Sequence, residues 1–163
     1  KAEIGVDSYN RLIRVILSLQ SSMANAYPEL PLTGNFVSYR GSMINWCPIG
    51  RLAVESERKS WARFERRYET RNQWFKILRQ SLNQIGLENV NVKLGGETSF
   101  DIYPEGWDKT YAFKNMEETP DQCIFFGDKI CKDGNDFDIA MKCAKYHLVE
   151  NPADLMIQLQ EYL

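Results

Sequence analysis

Leu12, Val15, Ile16, Leu19 and Met23 recur every three or four positions, the interval that lines one face of a helix. Asp7-Ser8 supplies a start signal and Pro28 a stop, so one helix is predicted between them. Two prolines and a glycine make Pro28–Gly34 a loop. The interval then shortens to two. Phe36, Ser38 and Arg40 share one face of a strand, and Val37 and Tyr39 the other. Gly41-Ser42 leads into a second strand at Met43–Trp46, and Cys47–Arg51 makes a third strand or a turn. From Glu55 to Ile85 the helical interval returns with Trp61, Phe64, Tyr68, Trp74, Leu78 and Leu82. A break near Glu69–Asn72 divides it into two helices, with Thr70 capping the second and Gly86 ending it. Asn89–Leu94 and Glu97–Tyr103 alternate strictly around Gly95-Gly96, which predicts a hairpin.

Past Pro104-Glu105-Gly106 the organisation changes. A helix at Asp108–Met116, an apolar strand at Gln122–Phe126, a short helix through Ile139–Cys143, a strand at Tyr146–Val149 and a helix at Pro152–Leu163 alternate as in a parallel sheet. The expected division is a mainly antiparallel α+β domain over 1–104 and part of a doubly wound α/β domain over 105–163. The 44% hydrophobic and 12% aromatic content supports a packed core and excludes disorder. No apolar run reaches the ~20 residues that span a bilayer. A net charge of −2 gives no global basic field, so no nucleic-acid partner is expected. The aromatic and basic residues of Glu55–Ile85 are interleaved with acids and fit a helical core better than a nucleic-acid surface. Cys47, Cys123, Cys131 and Cys143 form no CxxC pair, which argues against zinc and for reduced thiols in a cytoplasmic protein.

Candidate chemistry falls in two places. Arg40, Arg51 and Arg58 punctuate the first strands. Each is a permanently charged fork suited to carboxylate or phosphate, unless all three are solvated surface arginines. Ser99 and Asp101 share a strand face, where they can bind sugar hydroxyls or form the polar outside of a sheet. The second place is FFGDK followed by ICKDGND. Asp128 stands at the carboxyl end of a parallel strand, where open α/β sheets place ligands. With Asn135 and Asp136 it offers hard oxygen donors suited to Mg2+, or else caps the next helix. Lys109 can neutralise a phosphate, and His147 is expected to be structural or exposed.

Taken together, GNFVSYRGSMINWCPIGR, the SER block ending at Arg58, GGETSFDIYPEGWDKTY and FFGDKICKDGND resemble eukaryotic-type phosphomannomutase, a cap-bearing family of the haloacid dehalogenase superfamily. The blocks run in the family's order from about Gly34 to Asp136. The resemblance implies an α+β cap with an antiparallel sheet plus the C-terminal half of a haloacid dehalogenase-like Rossmannoid core. It implies that Arg40, Arg51 and Arg58 hold the distal phosphate of a sugar phosphate. Ser99, Asp101, Met43 and Asn45 complete the hexose-phosphate site. Lys109 offsets charge around an aspartyl-phosphate, and Asp128 binds magnesium, with Asn135 and Asp136 behind it. The implied reaction interconverts mannose 6-phosphate and mannose 1-phosphate for GDP-mannose synthesis. It uses Mg2+, a hexose 1,6-bisphosphate activator and a cytoplasmic homodimer joined through its caps.

Departures from the pattern temper those expectations. The family's DxDGT nucleophile motif is absent, and Asp136 and Asp138 lie in the wrong block to replace it. The expectation is that an N-terminal part of the core is missing and that this chain alone is not a mutase. GNFVSYR replaces a threonine and an acid of the first cap strand. ICKDGND lacks a proline-glycine pair. Ala140, Lys142 and Lys145 stand where the family binds an additional cation, which lysine would repel. A sugar phosphatase of the same superfamily and a non-catalytic hexose-phosphate-binding cap protein are the competing expectations.

Overall fold

The computed structural model describes residues 4–132 and 134–163. Lys1–Glu3, at the head of the first helical block, and Asp133, inside ICKDGND, lie outside them. The chain divides into two compact units, Lys1–Glu105 and Gly106–Leu163.

In the first unit, helix α1 (Val6–Ala26) buries Leu12, Ile16, Leu19 and Met23, while Val15 is only half-buried. Gln20 joins that apolar stripe. Its Nε2 donates to Pro48 O at 3.0 Å and its Oε1 accepts from Trp46 Nε1 at 2.7 Å. A buried amide satisfied at both ends is tolerated in a core. Four antiparallel strands follow in the order β1 (Val37–Tyr39), β2 (Ile44–Trp46), β4 (Ser99–Pro104) and β3 (Val90–Gly95). Cys47–Arg51 resolves as a turn, closed by Gly50 N–H on Cys47 O and tied to the preceding loop by Thr33 N–H on Ile49 O. Gly50 has φ 89°, and a Cβ there would lie 2.3 Å from Gly34 O, so only glycine fits.

Helices α2 (Glu55–Tyr68) and α3 (Thr70–Gln84) meet at Glu69, whose φ of 48° is left-handed. Thr70 is the first helical residue of α3 and not its cap. Glu65 of the preceding helix takes that role: its carboxylate accepts from the Thr70 hydroxyl and, at 3.0 Å, from the Arg71 N–H. A carboxylate at a helix N-terminus satisfies an otherwise orphaned donor and favours the helix dipole. At the far end Leu87 N–H reaches Leu82 O and Gly86 N–H reaches Asn83 O, a Schellman closure with Gly86 at φ 72°. The second hairpin strand begins at Ser99, two residues later than predicted, because Gly95 pairs with Ser99 and three residues make the connection.

Trp46, Trp61, Phe100, Leu12, Ile16 and Leu78 are at most 2% exposed and form the heart of this unit. Burying each such side chain contributes roughly 1.5–3 kcal/mol. Trp46 and Phe100 stack at 4.8 Å between their ring centroids.

In the second unit, Lys109–Asn115 is a 3-10 helix where an α-helix was predicted. Asp108 starts it by accepting from the Thr110 N–H at 2.8 Å and the Thr110 hydroxyl at 2.6 Å. Strands β5 (Ile124–Gly127) and β6 (Lys145–Leu148) pair in parallel, each shifted by a residue or two from its predicted range. Helix α4 (Phe137–Ala140) lies between them in sequence, and α5 (Pro152–Leu159) follows. Asn151 caps α5 through the N–H groups of Ala153 and Asp154, both at 3.0 Å. His147 is half-buried, stacked on Phe126 and 2.7 Å from the Tyr162 hydroxyl, a structural setting. The chain is thus mixed α/β, with an antiparallel sheet first and a parallel pair of strands after it.

Candidate functional site

The register of β2 on β4 pairs Ile44 with Ile102, Asn45 with Asp101 and Trp46 with Phe100. Side chains alternate across a sheet, so Ile44, Trp46, Phe100 and Ile102 enter the core while Asn45 and Asp101 turn to the opposite face. Ser38 pairs with Asn45, and Lys93 with Asp101, which extends that polar row across all four strands.

Asn45 is the hub. It is 2% exposed. Its Nδ2 donates to Asp101 Oδ1 at 2.7 Å and to Ser99 Oγ at 3.0 Å. Its Oδ1 accepts from Arg51 Nη1 at 2.9 Å. Ser99 Oγ in turn donates to Gly95 O at 2.8 Å. Arg58 braces the turn that carries Arg51, with Nε donating to Ala53 O at 2.9 Å and Nη2 to Arg51 O at 3.5 Å. Arg51 and Arg58 stay exposed. Arg40, also exposed, closes the β1–β2 hairpin through its N–H on Met43 O. Met43 does not join the polar row. It lines a small apolar pocket with Tyr9, Tyr39, Ile44 and Ile102.

Gly95 belongs to this site although its sequence position signals only a turn. A Cβ there would lie 2.7 Å from Asp101 Oδ2, so the bare backbone makes room for the carboxylate. The wall that results offers a charged fork and a carboxylate on one surface, braced by the buried Asn45 amide and Ser99 hydroxyl. That set can hold a phosphate at one end and hydroxyl groups at the other.

The second unit gathers Lys109, Asp128 and Asp136. Asp136, 1% exposed, takes the Lys109 ammonium on Oδ1 and the Lys129 N–H on Oδ2 at 3.1 Å. Asp128 lies within hydrogen-bond reach of it. Burial pushes the Asp136 carboxyl up, but the bond from Lys109, the Lys129 N–H and the lysine's charge outweigh it and hold it below the ordinary carboxylate value. Asn135 and Asp128 are exposed. Among the described residues no group of three His, Cys, Asp or Glu side chains is placed to hold a metal ion. An exposed carboxylate at the end of β5 fits as one donor to a hard cation. Asp136, already taken by Lys109, fits only behind such a ligand.

A family model described as eukaryotic phosphomannomutase matches residues 1–163. The chain belongs to the eukaryotic phosphomannomutase family. The phosphomannomutase of Schizosaccharomyces pombe is 34% identical over 163 residues, which cover 98% of this chain and 60% of that protein. The phosphomannomutase of Saccharomyces cerevisiae is 35% identical over 161 residues, 97% of this chain and 60% of its own. The chain therefore spans about 60% of the length of these curated relatives. Among solved structures, an N-terminally truncated, IMP-bound IMP-nucleotidase from Plasmodium falciparum superposes with a TM-score of 0.57. It is 12% identical, and the match covers 98% of this chain and 38% of that one. At that identity the likeness concerns the fold alone.

Proposed function

We propose that the protein to which this chain belongs interconverts mannose 6-phosphate and mannose 1-phosphate, and that the first unit supplies its sugar-phosphate grip. The observation that carries this reading is the Arg51–Asn45–Asp101–Ser99 network, preformed on one sheet face of a family member. Arg51 and Arg58 take the phosphate that is not reacting, and Arg40, at the β1–β2 hairpin, joins them when substrate binds. Asp101 and Ser99 accept from the hexose hydroxyls. A preorganised wall of this kind orients substrate without first having to order its own side chains.

Chemistry in such a reaction requires an aspartate nucleophile and an acid–base aspartate, and the DxDGT motif that carries them is not in this sequence. This chain by itself is accordingly proposed to bind hexose phosphates without turning them over. Lys109 stabilises charge near the transferred phosphoryl group, and Asp128 contributes one ligand to Mg2+. When bound, that ion would offset the charge of the phosphoryl oxygens. A hexose 1,6-bisphosphate activator, cap-to-cap homodimers, a cytoplasmic location and a role in GDP-mannose synthesis belong to the same proposal. Among the described residues no helix is long and apolar enough to cross a membrane.

Isothermal titration of the chain with mannose 6-phosphate tests the grip. Binding is expected, and Arg51→Ala should weaken it by about 1.5–3 kcal/mol, the range for a hydrogen bond to a charged group. Equal affinity for mannose 6-phosphate and for unphosphorylated mannose would remove the arginines from the reading.

A further inference from the structure

Three consecutive carbonyls at the tip of the β3–β4 hairpin are each held by a side chain. Ser99 Oγ donates to Gly95 O at 2.8 Å, Arg71 Nη1 to Gly96 O at 2.9 Å, and Trp61 Nε1 to Glu97 O at 2.9 Å. Ser99 belongs to the hairpin itself. Arg71 comes from α3 and Trp61 from α2.

Arg71 is the unusual member. It is 7% exposed, and its Nε has no hydrogen-bond partner among the described residues. Burial pulls its guanidinium down from the ordinary value, while Glu65, Cys47, Glu97 and Asp101 act in the other direction. Burying a charge and leaving one of its donors idle is a high cost for a single tie between helix and loop. The charge lies in the field of Asp101, a side chain of the proposed site, and of Glu97 at the hairpin tip. The Asp101 carboxylate also rests directly against the Gly95 backbone. A shift of the tip therefore moves the floor under that carboxylate.

We propose that Arg71 is a positioning residue for the hexose end of the site, holding the hairpin tip so that Ser99 and Asp101 stand over Asn45. This rests on the reading of Asn45, Arg51, Ser99 and Asp101 as a sugar-phosphate wall. Arg40, Arg51 and Arg58 lie outside the hairpin, on or after β1 and β2. Releasing the tip thus separates two functions: contacts to the sugar are lost, and contacts to the phosphate remain.

The test compares the full chain with Arg71→Met and Arg71→Lys. Amide NMR spectra without ligand should show shifts at residues 95–101 and at the Asn45 side-chain amide in Arg71→Met. By calorimetry, mannose 6-phosphate should bind about tenfold more weakly, a 1.4 kcal/mol change, while inorganic phosphate stays within about twofold. Arg71→Lys, which keeps the charge and a donor for Gly96 O, should recover most of the loss. Shifts confined to residues 69–75, or an equal loss of both ligands that lysine does not restore, would overturn the proposal. If Arg71→Met fails to fold, Trp61→Phe removes the donor to Glu97 O together with part of the buried indole and is read in the same way. Unshifted Ser99 and Asp101 amides in that variant would then overturn it. A wild-type chain that binds neither ligand sinks the sugar-phosphate wall, while the ligand-free spectra still decide Arg71.

Discussion

Asn45 concentrates more of the candidate site than any other side chain, since it bonds Asp101, Ser99 and Arg51 at once. Asn45→Ala takes one partner each from the Ser99 hydroxyl, the Asp101 carboxylate and the Arg51 guanidinium, while Ser99 keeps its bond to Gly95 O. We expect a loss of about 1.5–3 kcal/mol in urea unfolding, the range for hydrogen bonds to charged groups, together with weaker mannose 6-phosphate binding. Gly95→Ala should act differently. Its added methyl meets the Asp101 carboxylate and not an apolar wall. Overpacking of this kind costs about 1–3 kcal/mol. The carboxylate is the softest neighbour, so calorimetry should show the loss in hexose-phosphate affinity more than denaturation shows it in stability. Arg51, Ser99 and Asp101 could be picked out in the sequence by residue type, strand parity and family motif. The importance of Gly95 could not, because a glycine pair between two alternating segments already has a complete explanation as a turn.

At the level of elements, periodicity located every helix and strand of the first unit, and the errors fall where side chains from elsewhere intervene. Thr70 looked like a cap because nothing local shows that Glu65 already serves the N-terminus of α3. Lys109–Asn115 looked α-helical because its spacing does not distinguish that form from a tighter turn. Gln20 sits in an otherwise apolar helical stripe and gave no sign of reaching the sheet. Its two bonds tie α1 to Trp46 and Pro48, so Gln20→Ala leaves a buried indole N–H and a carbonyl without partners. A fall of about 2–4 kcal/mol in unfolding free energy is expected, and Gln20→Glu should not restore it.

Helix α5 offers a test by pH. Hydrogen bonds from the Glu150 N–H and from Gln158 hold the Asp154 carboxyl below its ordinary value. A carboxyl depressed in the folded state adds stability above its unfolded pKa and loses it as the pH falls through the folded value. The first turn of α5 should therefore fray in acid, below the ordinary carboxylate range, as followed by the Glu150 amide resonance. In Asp154→Asn the fraying should no longer depend on pH in that window. A resonance that titrates identically in both proteins would contradict this.

Across the whole chain the antiparallel sheet and the later parallel strands were both legible, because strictly alternating segments come before Pro104–Gly106 and short apolar strands interleaved with helices come after it. What sequence alone left open was which polar residues share a surface. Met43 and Asn45 have the same strand parity, yet Met43 lines an apolar pocket and Asn45 anchors the polar row. The difference arises because Met43 precedes the paired segment of β2, where strand alternation no longer governs direction.

The one-to-one pairing of Asn45 with Asp101 also limits what the gene can change. Losing the Ile44 codon would move Asn45 to a core-facing place and Trp46 to the sugar face. In the six-residue β4, losing two codons would keep the remaining side chains on their proper side, because the strand repeats every second residue. In the Pro28–Leu32 loop, by contrast, single-codon changes disturb no sheet register. A library of in-frame deletions selected for folded protein should therefore show a two-residue rhythm across residues 99–104, and none across 28–32.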